Sequence, residues 1–388
     1  MAAVKGQSDP AFSAVKQLLS DNVSTGEELG ASICINVDGL NVVDIWAGYV
    51  DEARSKEWQE NTIVNAWSTS KTVTNLAAFI AADRGLLDLH GKVATYWPEF
   101  AANGKENIEV RHILAHSSGL SAWEREMSTE DICNLDLSTA ELAKQAPLWE
   151  PGTASGYHST TQGALVSGLI SRVTGKSLKQ FIAEDMAAPL GADFQLGALE
   201  KDWPRVSTLL PAPPLPKEVM QAMAAYPISL RTFTNPPVPL DFVLGPTWRN
   251  AELGAVNGHG NARSLNRIMS AVTLGGEVDG VRLLSKETID KIFEEQTCGT
   301  DLAMLIPVRY GIGYGLPLKK TLPAIPEGDI CFWFGYGGSL VLMDRDTRMT
   351  FTYVMNKLGP GLLGNPRTFG YVQAAYDALK TMKGGSKM

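Results

Sequence analysis

Two pairs of β-branched runs, one near each end of the chain, constrain this sequence more than any other feature. Near the start, "ASICINV" and "LNVVDIWAGYV" are separated by Asp38 and Gly39, a D-G pair that signals a tight hairpin turn. Near the end, "SLVLMD" and "MTFTYVMN" flank the polar turn Arg345 to Arg348. Each pair has a helical companion. "DPAFSAVKQLLSDNV" offers Asp9 as N-cap and Pro10 as first helical residue, with Phe12, Val15, Leu18 and Leu19 at helical spacing. "RTFGYVQAAYDALKTM" repeats the spacing at Phe369, Val372, Ala375, Tyr376 and Leu379. The economical arrangement is one antiparallel sheet built from both termini and flanked by helices, an α/β plus α architecture.

The middle follows a different pattern. From about Val73 to Met186 the apolar spacing is mainly helical, as in "TVTNLAAFIAADRGLLDL" and "TTQGALVSGLISRVTG". From Trp203 to Trp248 the chain turns proline-rich yet keeps Tyr226, Phe233, Phe242 and Trp248. It reads as a long ordered loop or cap, either walling a pocket or simply packing as an extended segment. The expected organisation is a discontinuous sheet domain of residues 1–72 and 256–388. A mostly helical domain, 73–255, is inserted in it, with a proline-rich cap near 203–248.

Bulk properties narrow the function. With 44% of 388 residues hydrophobic, the chain can bury a large core. Asp and Glu outnumber Lys and Arg by 42 to 34, with no basic run, which argues against nucleic acid as a partner. No apolar run approaches the ~18 residues of a membrane span. Cys34, Cys133, Cys298 and Cys331 are far apart and form no C-x-x-C pair, so free thiols in a reducing compartment are expected. The first residues lack the apolar stretch of a signal peptide. A soluble cytoplasmic protein is the expectation. Nothing in the sequence specifies an oligomeric state.

Against that background, "WSTSKTVTNL" stands out. Ser68 and Lys71 are three residues apart at the start of a predicted helix, so they share a face, and the lysine amine can reach the serine hydroxyl. Exposed N–H groups at the helix start favour an oxyanion. A serine is a poor nucleophile without such a base. The spacing alone is weak: "SAVK", Ser13 to Lys16, repeats it, and a capping serine with a solvated lysine would look the same. Two distant segments add weight. Tyr157, followed by Ser159, is the only tyrosine of ten with Ser or Asn two residues on. A phenol near a lysine ammonium can be pushed toward phenolate, so it can accept and return a proton. "CFWFGYGGSLVLMD" places Trp333, Gly335 and the pair Gly337–Gly338 leading into a strand, where glycine permits close approach. Trp123 and Met127 are candidates for an apolar wall, and His259 for a turn bordering the site. No G-x-S-x-G elbow and no H-E-x-x-H appears, so neither an α/β-hydrolase nucleophile nor a catalytic metal is expected, and no cofactor.

Ser68-x-x-Lys71, Tyr157-x-Ser159 and Trp333-x-Gly335, in this order, resemble the serine β-lactamase and penicillin-binding-protein superfamily. The likeness is greatest to its class C-like branch and, within it, the family VIII carboxylesterases. "IEVRHILAHSSGLSAW", "LWEPGTASGYHSTTQGALVSGLI" and "NGHGNARSLNRIMSAVTLGG" extend the resemblance from about Ala31 to Asn356. It implies that Ser68 is the acylated nucleophile and Lys71 its activating neighbour. It implies too that Tyr157 is base for attack and acid for the leaving group. The backbone N–H groups of Ser68 and Tyr336 would form the oxyanion hole. Trp333 stands where relatives carry the lysine of K-T-G, which removes a cation for a substrate carboxylate and implies a small-molecule ester as substrate. Ser159 stands where many relatives have asparagine. The expected reaction is hydrolysis of carboxylic esters through a Ser68 acyl-enzyme. Transfer of the acyl group to an alcohol is the nearest alternative, followed by β-lactamase or D-amino-acid peptidase activity and a non-catalytic binding module.

Overall fold

The computed structural model describes residues 3–384. Six strands, β1 (Lys5–Ser8), β2 (Gly30–Val37), β3 (Leu40–Gly48), β4 (Ile330–Phe334), β5 (Leu340–Asp344) and β6 (Met349–Met355), form one antiparallel sheet in the order β1-β3-β2-β6-β5-β4. Asp38 and Gly39 both take positive φ, 52° and 88°, as a two-residue hairpin turn between β2 and β3 requires. The two ends of the chain meet where β6 pairs with β2, Tyr353 opposite Ile33 and Thr352 opposite Cys34. Strands β2, β5 and β6 are buried along their whole length, the polar Ser32, Asn36, Thr350 and Thr352 included.

Five longer helices pack around this sheet and beside it: α1 (Ser13–Thr25), α2 (Ser70–Asp83), α3 (Thr161–Thr174), α4 (Ala262–Thr273) and α5 (Pro366–Gly384). Alternation along β6 assigns the faces. Thr350 and Thr352 hydrogen-bond Thr273 and Asn266 of α4, whereas Tyr353 packs on Tyr371 of α5 at 5.0 Å between centroids. Helix α4 therefore covers one face and α5, which packs on α1, covers the other. The N-terminal helical segment starts as read: Asp9 Oδ1 accepts the Ala11 N–H at 2.8 Å, and Pro10 opens a short 3₁₀ turn that continues into α1.

Two expectations change, and one strand had no signal in the sequence. The proline-rich stretch is not a long loop. It folds into four short helices, Lys217–Ala225, Pro227–Thr234, Leu240–Val243 and Pro246–Asn250. Pro227 and Pro246 occupy first-turn positions, where a missing N–H costs nothing. Strand β1 gives no period in sequence, because a four-residue edge strand with mostly exposed side chains needs none. Trp333 and its neighbours form strand β4, rather than only leading into one. Among the described residues, no helix is long and apolar enough to cross a membrane.

Candidate active site

Ser68 sits in a 3₁₀ turn, Trp67–Thr69, that runs directly into α2. Trp67 has φ 52°, an uncommon conformation for a bulky residue. Its ring packs against Tyr336 at 5.5 Å and Trp248 at 6.1 Å, and this packing offsets the local strain. The Ser70 hydroxyl donates to Trp67 O and accepts the Gly258 N–H at 2.8 Å, so the turn is pinned from the short strand Gly258–Gly260. A Cβ on Gly258 would lie 2.6 Å from Ser70 Oγ, which explains the glycine. Ser68 makes no side-chain cap; its hydroxyl is left half-buried at the head of a helix whose residues Ser70 to Ala81 are all buried.

Lys71, one residue inside α2, is 1% exposed. Its Nζ lies 3.2 Å from Ser68 Oγ, 2.7 Å from the Ser159 carbonyl oxygen and 3.0 Å from that of Ala255. The two carbonyls can only accept, so they take two N–H bonds. The remaining direction of the tetrahedral nitrogen faces Ser68. Burial pushes the amine well below the usual lysine range. A neutral amine fits this cage: two N–H groups for two carbonyls and a lone pair toward the serine hydroxyl.

Tyr157 lies on the other side of the amine, with Lys71 Nζ 4.8 Å from its ring centroid. Trp333 Nε1 donates to its phenolic oxygen at 3.3 Å. Burial pushes the phenol above its ordinary value of 10; hydrogen bonds with Ser68 and Trp333 oppose this, and the Asp301 carboxylate reinforces it. The phenol is thus held protonated, a state that the sequence leaves open. An ammonium would favour phenolate, but a buried neutral amine supplies no such charge.

The Tyr157 backbone N–H donates to Asp301 Oδ1 at 3.0 Å, an oxygen that also accepts the N–H groups of Ala303 and Met304 at 2.9 and 2.8 Å. His116, φ 60°, packs edge-on to the phenol ring at 4.9 Å, and its Nδ1 accepts the His158 N–H at 3.1 Å. Burial above all holds its pKa well below the usual imidazole value, so it is neutral. His158 is fixed by Gly156 O at 2.6 Å and Ser118 Oγ at 2.7 Å, and burial takes its pKa to about 3. Tyr157, Tyr310, Trp333, Ala303, Met304 and Val308 form an apolar cluster separate from the main core, against which Phe233, Ile306, Leu362 and Leu363 pack.

Gly335 ends β4 beside the Ser68 turn. A Cβ there would fall 2.2 Å from Ser339 Oγ and 2.4 Å from Ala66 O, so glycine is needed for close approach. Ser339 bridges the two segments, its hydroxyl 2.9 Å from Thr69 Oγ1 and donating to Ala66 O at 3.1 Å. Among the described residues, no protein acceptor takes the backbone N–H of Ser68 or of the exposed Tyr336.

Ser68, Lys71, Tyr157, Trp333, Gly335 and Tyr336 are therefore brought together from three distant segments. Ser159 joins them through its carbonyl rather than its hydroxyl. Two candidates do not join. Trp123 is a core residue, 1% exposed, whose Nε1 donates to Ser138 O at 3.0 Å. His259 is buried with Nδ1 on Asn257 O at 2.8 Å, and Arg249 and Lys179 are the charges that act on it, not the serine cluster. Ala255 and Asp301 escaped the sequence reading. Ala255 acts through a carbonyl that any residue carries, and Asp301 lies in a loop without periodic pattern.

The β-lactamase family profile matches residues 15–375. The esterase/β-lactamase LipL of Mycobacterium tuberculosis is 32% identical over 370 residues, 92% of this chain and 83% of LipL. The crystal structure of a family VIII carboxylesterase superposes with a TM-score of 0.90 at 32% identity, over 97% of this chain and 99% of that one. A penicillin-binding protein homologue from Caulobacter crescentus does so with a TM-score of 0.90 at 31% identity, again over 97% and 99%. Fold and relatives together define a serine hydrolase of the β-lactamase-like type. The chain belongs to the β-lactamase family.

Proposed function

We propose that the chain hydrolyses carboxylic esters through an acyl-enzyme on Ser68. The observation that carries this reading is the Lys71 cage: an amine with two directions committed to carbonyls and the third aimed at Ser68 Oγ. As Oγ attacks the ester carbonyl carbon, its proton passes to the Lys71 lone pair. The Oγ–C bond forms and the carbonyl oxygen becomes an oxyanion, received by the N–H groups of Ser68 and Tyr336. Collapse breaks the ester C–O bond. The departing alkoxide takes a proton from the Tyr157 hydroxyl, which Lys71 reprotonates. Water, giving its proton to the same amine–phenol pair, then attacks the acyl carbon, releases the acid and restores Ser68.

The substrate side supports esters without a required charge. Trp333 occupies the place of a cation, and its neighbours Tyr310, Met304 and Val308 are apolar or uncharged. A fluorophosphonate probe should label Ser68, and p-nitrophenyl acetate or butyrate should turn over while nitrocefin does not. Absence of labelling under conditions that label a control esterase would favour a non-catalytic binding protein. An added acceptor alcohol that diverts most of the acyl group to a new ester would favour an acyltransferase.

A further inference from the structure

The Tyr336 N–H belongs to the same peptide plane as the Gly335 carbonyl. In a trans peptide these two groups point in opposite directions, so whatever fixes one fixes the other. The Gly335 carbonyl accepts the Gly338 N–H at 3.0 Å, closing a tight turn. Gly337 and Gly338 have φ 90° and 116°, so Tyr336, whose ring packs on Trp67, is the one side chain between the turn's two hydrogen-bonded glycines.

The glycine turn is held from outside, by the first turn of α5. Asn365 Nδ2 donates to Gly337 O at 2.8 Å, and the Gly359 N–H donates to the same oxygen at 2.8 Å. Thr368 Oγ1 donates to Gly338 O at 2.7 Å. Asn365 also caps α5, its Oδ1 accepting the Arg367 N–H at 3.1 Å. Arg367 anchors the helix start in the sheet domain: it pairs with the fully buried Glu28 at 2.7 Å and donates to Lys357 O at 2.7 Å. A Cβ on Gly338 would lie 2.3 Å from Asn365 Nδ2 and 2.8 Å from Thr368 Oγ1, so the contact has no slack.

We propose that Asn365 and Thr368 are positioning residues for the oxyanion donor: by gripping the Gly337 and Gly338 carbonyls they set the Gly335–Tyr336 peptide plane and aim the Tyr336 N–H. The proposal rests on the ester-hydrolase reading above. Neither side chain touches the reacting atoms. Their effect falls on the transition state, because the oxyanion exists only there.

The test uses the full chain. Thr368→Val keeps the shape and removes the hydroxyl donor; Thr368→Ser restores it. Asn365→Asp keeps the oxygen that caps α5 and removes the amide donor to Gly337 O. With p-nitrophenyl butyrate, Thr368→Val and Asn365→Asp should each lower kcat about tenfold or more with KM within about twofold, since loss of one oxyanion donor costs roughly 10²–10³. Affinity for an alkyl boronic acid, which forms a tetrahedral adduct on the serine, should fall by a similar factor. Thr368→Ser should stay near wild type in both. Thermal melting of each variant reports folding, and if Thr368→Val fails to fold, Asn365→Asp carries the comparison. Unchanged kcat in the folded variants, or lost kcat with unchanged boronate affinity, overturns the proposal. A wild-type Ser68 that neither takes the fluorophosphonate nor binds the boronate overturns instead the reading beneath it.

Discussion

The indole N–H of Trp333 donates to the phenolic oxygen of Tyr157 across 3.3 Å, joining β4 to the loop before α3. It is the contact through which the sheet holds the phenol against Lys71 and Ser68. The tryptophan thus has two consequences at once: it lays an uncharged ring against the phenol, and it fills one acceptor site on the phenolic oxygen.

Trp333→Phe keeps an aromatic ring, a smaller one, and deletes the donor. A single neutral hydrogen bond is worth about 1 kcal/mol, so kcat should fall roughly fivefold to tenfold with KM nearly unchanged. Steady-state kinetics on a p-nitrophenyl ester check this; a variant with wild-type kcat would show that packing alone holds Tyr157.

Ser68, Lys71 and Tyr157 should behave as one unit. Ser68→Ala should abolish turnover with little effect on folding. Lys71→Ala and Tyr157→Phe should each cost about 10²–10⁴-fold, and the double variant little more than the worse single one. Ser13→Ala, in the second tetrad, should change nothing, because Ser13 and Lys16 are exposed on α1. Additive losses in the double variant would separate the two groups mechanistically.

The pH profile follows from the two shifts. Lys71 is depressed by burial, so it is a base above its folded pKa and loses its lone pair as pH falls through that value. Tyr157 is raised above 10 by burial, so the acid form persists through ordinary alkaline conditions. The kcat/KM profile should therefore rise with pH as one proton leaves, then stay flat to about pH 10. An alkaline fall at or below that point would mean that a phenol of ordinary or lowered pKa, not a raised one, is working.

Asp301 offers a stability test. All three N–H groups it receives, from Tyr157, Ala303 and Met304, converge on Oδ1. Asp301→Ala leaves three buried donors unpaired and should cost about 2–4 kcal/mol in urea unfolding, with a parallel loss of kcat. Asp301→Asn can present the same oxygen, and burial already disfavours the charged carboxylate, raising its pKa. That variant should cost no more than about 1 kcal/mol. Equal costs for both would show that the charge matters more than the acceptor.

Local physics made part of this protein readable from its residues alone. A D-G pair between β-branched runs can hardly avoid a hairpin, and apolar spacing located α1, α2, α3 and α5. Ser68 and Lys71 could be paired because three residues in a helix are neighbours by geometry, whatever surrounds them. The rest depends on contacts far apart in the chain. Backbone carbonyls carry no residue signature, so the cage around Lys71, built by Ser159 and Ala255, is invisible in sequence. The same holds for the Asp301 anchor and for the burial that sets the resting protonation of amine and phenol. Protonation is a property of the surroundings, and only the tertiary structure, by removing water from Lys71 and Tyr157, determines which group holds the proton.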